Sequence, residues 1–327
     1  MKRTSIRTLA LAAFIGNVVV ILQGALVRAT GSGAGCGSHW PTCNGTFVPL
    51  DPTLETGIEF SHRLLSLVVL VLGAWLLVRA HRVRAENPGL AALAKASFGF
   101  LVIEALIGGA TVLLGLTGDN TTVARGVWVA SHLVNSLLLI GALAATLVYA
   151  QPRPPAWPLR ISRQGAVSTL WIVGLIGMLI LSFTGGIAAM GNTIFPAESL
   201  AEGIRMDFDQ NSHPLIRLRM LHPLIAVSVG VYLFVSLAFA WHLKPVPEAK
   251  RVAQALLGVY VLQMVIGVAN LAFLAPIALQ LLHLGVGVAS FALLSALGVV
   301  ILGGNAVAEG ATTHVAEPHL GAGLENV

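Results

Sequence analysis

The sequence is poor in charge. Only 10% of its 327 residues are Asp, Glu, Lys or Arg, whereas 56% are hydrophobic. Soluble domains carry about 25% charged residues, so this shortage excludes an ordinary soluble domain and indicates an integral membrane protein. A net charge of +5 would point to nucleic acid in a soluble protein, but in a membrane protein the positions of the basic residues matter more than their sum. We therefore expect membrane lipid, and no nucleic acid, around this chain.

Polar interruptions are also scarce, and the apolar runs between them are long. Runs of about 20 residues, the length that crosses the hydrocarbon core, occur near 8–29, 57–80, 94–117, 126–150, 166–190, 217–243, 252–274 and 277–303. The first run follows a short basic N-terminus without a small-residue cleavage site, so we interpret it as a retained helix. The predicted fold is all-α, a polytopic membrane protein with eight transmembrane helices.

The two halves of the chain resemble each other. Residues 23–26 in the first predicted helix correspond to 184–187 in the fifth, and 104–111 in the third correspond to 263–270 in the seventh. Four helices per copy is an even number, so both copies have the same orientation, as in a parallel repeat. We predict two pseudo-symmetric four-helix bundles over 1–150 and 166–303, an inner linker at 151–165 and a flexible tail at 304–327.

The basic residues predict the orientation. With an inner N-terminus, thirteen of the nineteen Lys and Arg residues fall on the inner side, which the positive-inside rule favours. We therefore expect both termini in the cytoplasm of a bacterial cell, with the protein in the plasma membrane. The loop over 30–56 then lies on the outer side.

Four histidines stand at equivalent places in the even-numbered predicted helices, each five or six residues from the outer end: His62, His132, His222 and His283. At 1.5 Å per residue they lie roughly 8–9 Å below the outer boundary. Two imidazoles at one depth on neighbouring helices suit the axial positions of a haem iron. A histidine in a membrane also serves as an interhelical hydrogen-bonding residue, which is the main alternative. Structural zinc is weaker, because it requires Cys or carboxylate ligands around one centre.

Small residues near these histidines would leave room for a flat macrocycle. They are Gly108, Gly109, Gly267, Gly285 and Gly287.

The repeat is not perfectly symmetric around its histidines. Glu59 precedes His62 by three positions and lies on the same helix face, whereas the second half has Arg219 at the matching place. A carboxylate beside one site only predicts chemistry in the first half and electron transfer or structure in the second. The alternative is that Glu59 merely pairs with Arg63 at i,i+4. Arg217 and Arg219 are candidates for binding haem propionates or for anchoring at the interface.

The chain has only two cysteines, Cys36 and Cys43, seven positions apart in a Gly-rich loop. On the oxidising side of a membrane we expect them to form a disulfide. A structural crosslink is one interpretation, and a redox role or capture of a substrate vinyl group is the other.

These motifs together resemble the haem A synthase family, of the bacterial type with a disulfide loop. The resemblance covers nearly the whole chain and rests on Gly24–Gly33 running into the Cys36/Cys43 loop, on Glu59-x-x-His62-Arg63, and on His132, His222 and His283. It implies an oxidoreductase that converts the C8 methyl of haem O to a formyl group by successive hydroxylations. It also implies a role in cytochrome oxidase assembly, with a haem O-producing prenyltransferase and oxidase assembly factors as partners.

The resemblance assigns roles to the two halves. The first half, with His62, His132 and Glu59, would hold haem O, and the second half, with His222 and His283, would ligate an electron-transferring haem b. Pro223 departs from the His-Arg pattern of the first half, so Arg217 or Arg219 would replace that arginine at a propionate.

Three other classes of function compete with this assignment. A di-haem, quinone-linked cytochrome that only transfers electrons explains the four histidines but not the one-sided Glu59. A transporter would have helices broken at corresponding places in both halves, and Pro223 and Pro276 form no such pair. A prenyltransferase would need paired Asp-rich motifs to hold Mg²⁺ and pyrophosphate, which the chain lacks.

Overall fold

The chain folds into α-helices joined by short loops. The computed structural model describes residues 3–159, 161, 165–243 and 246–303, and the described residues contain no β-strand. The helices are α1 (Arg3–Ala29), α2 (Leu54–Arg82), α3 (Pro88–Leu113), α4 (Val123–Tyr149), α5 (Ala166–Ile194), α6 (Leu200–Phe208), α7 (Pro214–Arg219), α8 (Leu221–Leu243), α9 (Pro247–Ala272) and α10 (Ile277–Leu302). Counting α7 and α8 together, eight segments are long and apolar enough to cross a membrane, which confirms the predicted number. The predicted flexible tail lies outside the described residues.

Helix ends follow local capping chemistry rather than the edges of the apolar runs. The helix α3 begins at Pro88, six residues before the predicted start, because the side chain of Asn87 accepts a hydrogen bond from the Leu90 N–H. Proline is favoured in the first turn, where its missing N–H leaves no gap in the helix. The helix α9 also begins at a proline, Pro247, before its predicted start at 252.

The sixth transmembrane segment is interrupted, which differs from the predicted continuous helix over 217–243. Its first part, α7, ends at Arg219, and α8 begins at Leu221 after the single residue Met220. Pro223 is the physical reason, because it has no N–H to donate to the carbonyl four residues earlier. The break places His222 in the first turn of α8.

Helix contacts arrange the spanning segments in two rings of four. In the first ring, α1 contacts α2, α2 contacts α3, α3 contacts α4, and α4 returns to α1. In the second, α5 contacts α8, α8 contacts α9, α9 contacts α10, and α10 returns to α5. The rings meet where α4 contacts α5 and α10, and where α1 contacts α10.

The helices α4 and α10 form the centre of the molecule. In their most apolar stretches 50% and 56% of the residues are buried, against at most 28% in the other spanning segments. Leu139 and Leu143 of α4 pack in the core of the first ring, while Leu137 and Ile140 of the same helix pack in the core of the second. One helix therefore supplies both cores, which gives the two halves a shared apolar interior.

The short helix α6 lies between the fifth and sixth transmembrane segments and is absent from the sequence prediction. Its start follows a recognisable signal, since the Ser199 side chain accepts a hydrogen bond from the Glu202 N–H. A Ser followed three positions later by Glu is a typical start of a helix. Asp207, near its end, forms an ion pair with Arg219, and this contact ties α6 to α7.

Candidate functional site

Each of the four histidines packs against a glycine of the spanning segment that precedes it in the chain. A Cβ atom on any of these glycines would lie within 3.6 Å of an imidazole atom, and at three of the four within 3.1 Å. The pairs are Gly24–His62, Gly108–His132, Gly185–His222 and Gly267–His283. The same contact thus recurs at all four corresponding places of the repeat, and each glycine leaves space that an imidazole ring fills.

The sequence prediction recognised only part of this glycine set. Gly108 and Gly267 were among the predicted small residues, but Gly24 and Gly185 were not assigned to the histidines. Gly109 instead packs beneath Trp40 of the Cys loop, because a Cβ there would lie 2.8 Å from the indole ring. The repeat itself carried the signal, since Gly24 and Gly185 occupy matching positions in the first and fifth predicted helices.

The two histidines of the second half face each other. Their ring centroids are 6.2 Å apart, with an interplanar angle of 83°. A metal bound by both rings would need about 6 Å, because each metal–nitrogen bond is about 2 Å and each ring nitrogen lies about 1 Å from its centroid. Nδ1 of His222 lies 3.1 Å from the carbonyl of Leu181, which leaves Nε2 for a ligand. Metal-binding histidines commonly donate their other N–H to a backbone carbonyl.

Nitrogen atoms of the other histidines lack partners. Nδ1 is buried without a hydrogen bond in His62, His132 and His283. Nε2 of His283 lies 3.2 Å from the amide nitrogen of Gln263. A buried polar atom without a partner is costly, so these orphaned nitrogens fit residues that complete their bonding with a ligand. Among the described residues no three His, Cys, Asp or Glu side chains converge on one point. The histidine pairs therefore fit a group that brings its own equatorial ligands, such as a haem.

Glu59 is buried, with 4% of its surface exposed, and both of its carboxylate oxygens are engaged. Arg63 Nη2 donates to Oε1 at 2.5 Å, and the backbone N–H of Cys36 donates to Oε2 at 2.8 Å. The i,i+4 pair with Arg63 that the sequence left as an alternative is therefore present. The carboxylate also attaches the Cys loop to α2, one turn before His62.

The Cys loop covers the end of the first half. Cys36 and Cys43 form a disulfide, which confirms the predicted pairing. Arg63 Nη1 donates to the carbonyls of His39 and Thr42 at 2.7 and 2.5 Å. Trp40 packs on Gly109 of α3, next to the glycine that supports His132. The loop therefore contacts α2 near one histidine and α3 near the other.

The two predicted propionate-binding arginines are differently occupied. Arg219 binds Asp207 through Nε, Asn192 through Nη1 and the carbonyl of Gly203 through Nη2, so all three guanidinium nitrogens have protein partners. Arg217 makes one long contact of 3.5 Å to the carbonyl of Gln210. Arg217 is consequently the freer of the two to meet an acidic group.

A second carboxylate, missed by the sequence analysis, lies beside His132. Oε1 of Glu104 is 3.5 Å from Nδ1 of His132, and the side chains of Asn135 and Ser136 donate hydrogen bonds to the same carboxylate. The matching residue of the second half, Gln263, contacts His283. The signal for Glu104 was its alignment with Gln263 in the repeat.

The fold and the site together define a multi-pass helical membrane protein with an internal repeat and one histidine pair in each half. A match to the cytochrome oxidase assembly protein family (COX15-CtaA) covers residues 7–295. The chain belongs to this family.

Individual relatives carry two different names. Proteins named protoheme IX farnesyltransferase from two strains of Thermus thermophilus are 44% identical over 275 residues, which is 82% of this chain and 44% of theirs. A protein named heme A synthase from Halalkalibacterium halodurans is 36% identical over 148 residues, 43% of this chain and 46% of that protein. Another heme A synthase, from Bacillus mycoides, is 44% identical over 110 residues, 34% of this chain and 35% of that protein. The chain spans less than half the length of the relatives it matches.

Proposed function

We propose that this protein is a haem A synthase, a membrane oxidoreductase that oxidises the C8 methyl of haem O to a formyl group. The observation that carries the proposal is the histidine pair in each half, with every ring seated on a glycine. Membership of the cytochrome oxidase assembly family and similarity to proteins named heme A synthase support the same reaction.

The two halves have different roles in this proposal. His62 and His132 hold the iron of haem O, and Glu59 lies one turn from His62 on the same helix. A carboxylate close to the reacting methyl stabilises positive charge that develops during oxidation, or accepts a proton. His222 and His283 hold a haem b, which supplies electron transfer when bound. Arg217 would meet a propionate at the second site.

Glu59 is also a structural contact, and its two roles can be separated. The Glu59→Gln variant keeps a hydrogen-bond acceptor for the Cys36 N–H but removes the charge that faces Arg63. If the charge takes part in the oxidation, E59Q will retain bound haem and lose conversion. A variant that loses haem and conversion together would instead indicate that Glu59 only holds the Cys loop in place.

The main alternative is a di-haem cytochrome that only transfers electrons. Expression in a bacterial host whose membranes contain haem O but no haem A distinguishes the two functions. Extraction and chromatography of the haems should then yield haem A, and the His62→Ala variant should abolish it. His81→Ala is the matched control, because this exposed histidine lies on the same helix and has no proposed role. A wild-type chain that binds haem but leaves haem O unconverted would identify the electron carrier.

The name of the Thermus relatives suggests a second candidate activity for this chain. Farnesylation of protohaem IX would produce haem O, the substrate proposed here, so we propose that such an activity supplies this protein. A host with protohaem but no prenyltransferase tests whether the chain farnesylates by itself. We expect no haem O in that host, and its appearance would move the proposed activity from methyl oxidation to prenyl transfer.

A further inference from the structure

The two halves differ in the side chain behind one histidine of each pair. Behind His132 stands the carboxylate of Glu104, with Oε1 3.5 Å from Nδ1. Behind His283, at the matching place, stands the neutral carboxamide of Gln263, 3.2 Å from Nε2. The repeat has thus kept a polar partner at this place and changed its charge.

The neighbours of this side chain differ in the same sense. Asn135 and Ser136, both buried, donate hydrogen bonds to the Glu104 carboxylate. Their counterparts three and four residues after His283 are Val286 and Gly287, which have no side-chain donors. A buried carboxylate needs such donors to offset its desolvation, whereas a carboxamide needs fewer. The three differences together indicate that the first half is built to hold a carboxylate at this point.

The donors also fix how the carboxylate is used. Asn135 occupies Oε2 at 2.5 Å and donates in addition to the Phe100 carbonyl at 3.0 Å, so Glu104 is tied to its own helix. Ser136 occupies Oε1, the oxygen that faces His132. An ionised carboxylate has only acceptor sites. The one donor that His132 can offer it is Nδ1–H, which leaves Nε2 as the metal-binding nitrogen.

We propose that Glu104 is a positioning residue that holds His132 with Nδ1–H toward its carboxylate and makes this imidazole a stronger electron donor than His283. The inference rests on the proposed function, because it requires haem in both halves. A carboxylate behind a ligand histidine raises the basicity of the ligand, and hydrogen bonding around an axial ligand is one of the means by which a protein sets a haem potential. The iron of the first half therefore has a lower midpoint potential than it would have with a neutral partner.

Redox titration of the full-length protein tests this role. The chain is purified from a haem O-producing host and titrated anaerobically by visible absorbance, and the component that His62→Ala removes is assigned to the first half. We expect Glu104→Gln to raise the potential of that component by the equivalent of about a tenfold change in its reduction equilibrium, about 59 mV for one electron. The other component should stay in place.

Two variants separate the role from simpler effects. Gln263→Glu should lower the potential of the second component, and it serves as the test if E104Q does not accumulate in folded form. Glu59→Gln removes a carboxylate from the first half that does not face His132. An equal shift in E59Q, or no shift in either E104Q or Q263E, would overturn the role of Glu104. A wild-type protein without two haem components would overturn the proposed function itself.

Discussion

At the scale of single residues, four glycines decide where the imidazole rings can lie. The ring of His283 fills the space that a side chain on Gly267 would occupy, since a Cβ there would be 3.0 Å from Cε1. Contacts this short force a neighbour to move, and overpacking in a well-packed interior costs about 1–3 kcal/mol. The glycines are therefore as much a part of the site as the histidines.

We expect Gly267→Ala to weaken haem binding in the second half by about tenfold, which corresponds to about 1.4 kcal/mol. Titration of the purified protein with iron protoporphyrin, followed by Soret absorbance, measures the affinity. Gly258→Ala is the matched control on the same helix, because a Cβ there meets nothing within 4 Å. Equal affinities in the two variants would show that Gly267 does not position His283.

At the scale of helices, α1 connects the two rings through a single side chain. Arg28, near the end of α1, donates to the carbonyl of Ala189 at 3.0 Å and to the Thr193 hydroxyl on α5. It also donates to Gln280 on α10 at 2.7 Å. Hydrogen bonds from a charged donor contribute about 1.5–3 kcal/mol, so this side chain should stabilise the contact between the rings.

Arg28→Met keeps much of the apolar stem of the side chain and removes the donors. We predict a loss of about 1.5–3 kcal/mol in the free energy of unfolding, measured by titrating a denaturing detergent into mild micelles. Arg84→Met should change stability by less than about 0.5 kcal/mol, because Arg84 is exposed and makes one weak contact to the His81 carbonyl at 3.3 Å. A similar loss in both variants would mean that the effect reflects lost charge rather than the contact between rings.

At the scale of the whole molecule, the basic residues predict how the protein lies in the membrane. Thirteen of nineteen Lys and Arg residues belong to the end opposite the Cys loop, and the positive-inside rule assigns such an end to the cytoplasm. We propose on this basis that both termini are cytoplasmic and that the Cys loop faces outward. The same orientation would put all four histidines nearer the outer surface.

Thiol labelling of intact cells checks this orientation. In a Cys36→Ser/Cys43→Ser background, Phe47→Cys places a thiol in the Cys loop and Glu86→Cys places one in the loop between α2 and α3. Both positions are exposed, Phe47 by 83%. A membrane-impermeant reagent should label F47C in intact cells and E86C only after permeabilisation. The reverse pattern would place the Cys loop in the cytoplasm.

Much of the architecture could be predicted because it depends on local sequence. The eight transmembrane segments follow from apolar run length, and the break at Met220 is explained by one proline. The disulfide follows from two cysteines seven positions apart in one loop. The helix ends were less accurate, because caps such as Asn87 lie outside the apolar runs.

The sequence by itself determined the class of protein, the number of membrane crossings, the internal repeat and the four histidines, since composition, run length and spacing are properties of the chain alone. Only the tertiary structure decided that Glu59 bonds the Cys36 N–H, that each histidine rests on a glycine of the preceding segment, and that Glu104 faces His132. The physical reason is that helix periodicity places residues on faces, whereas the rotation of neighbouring helices, set by packing of the shared core, determines which faces meet.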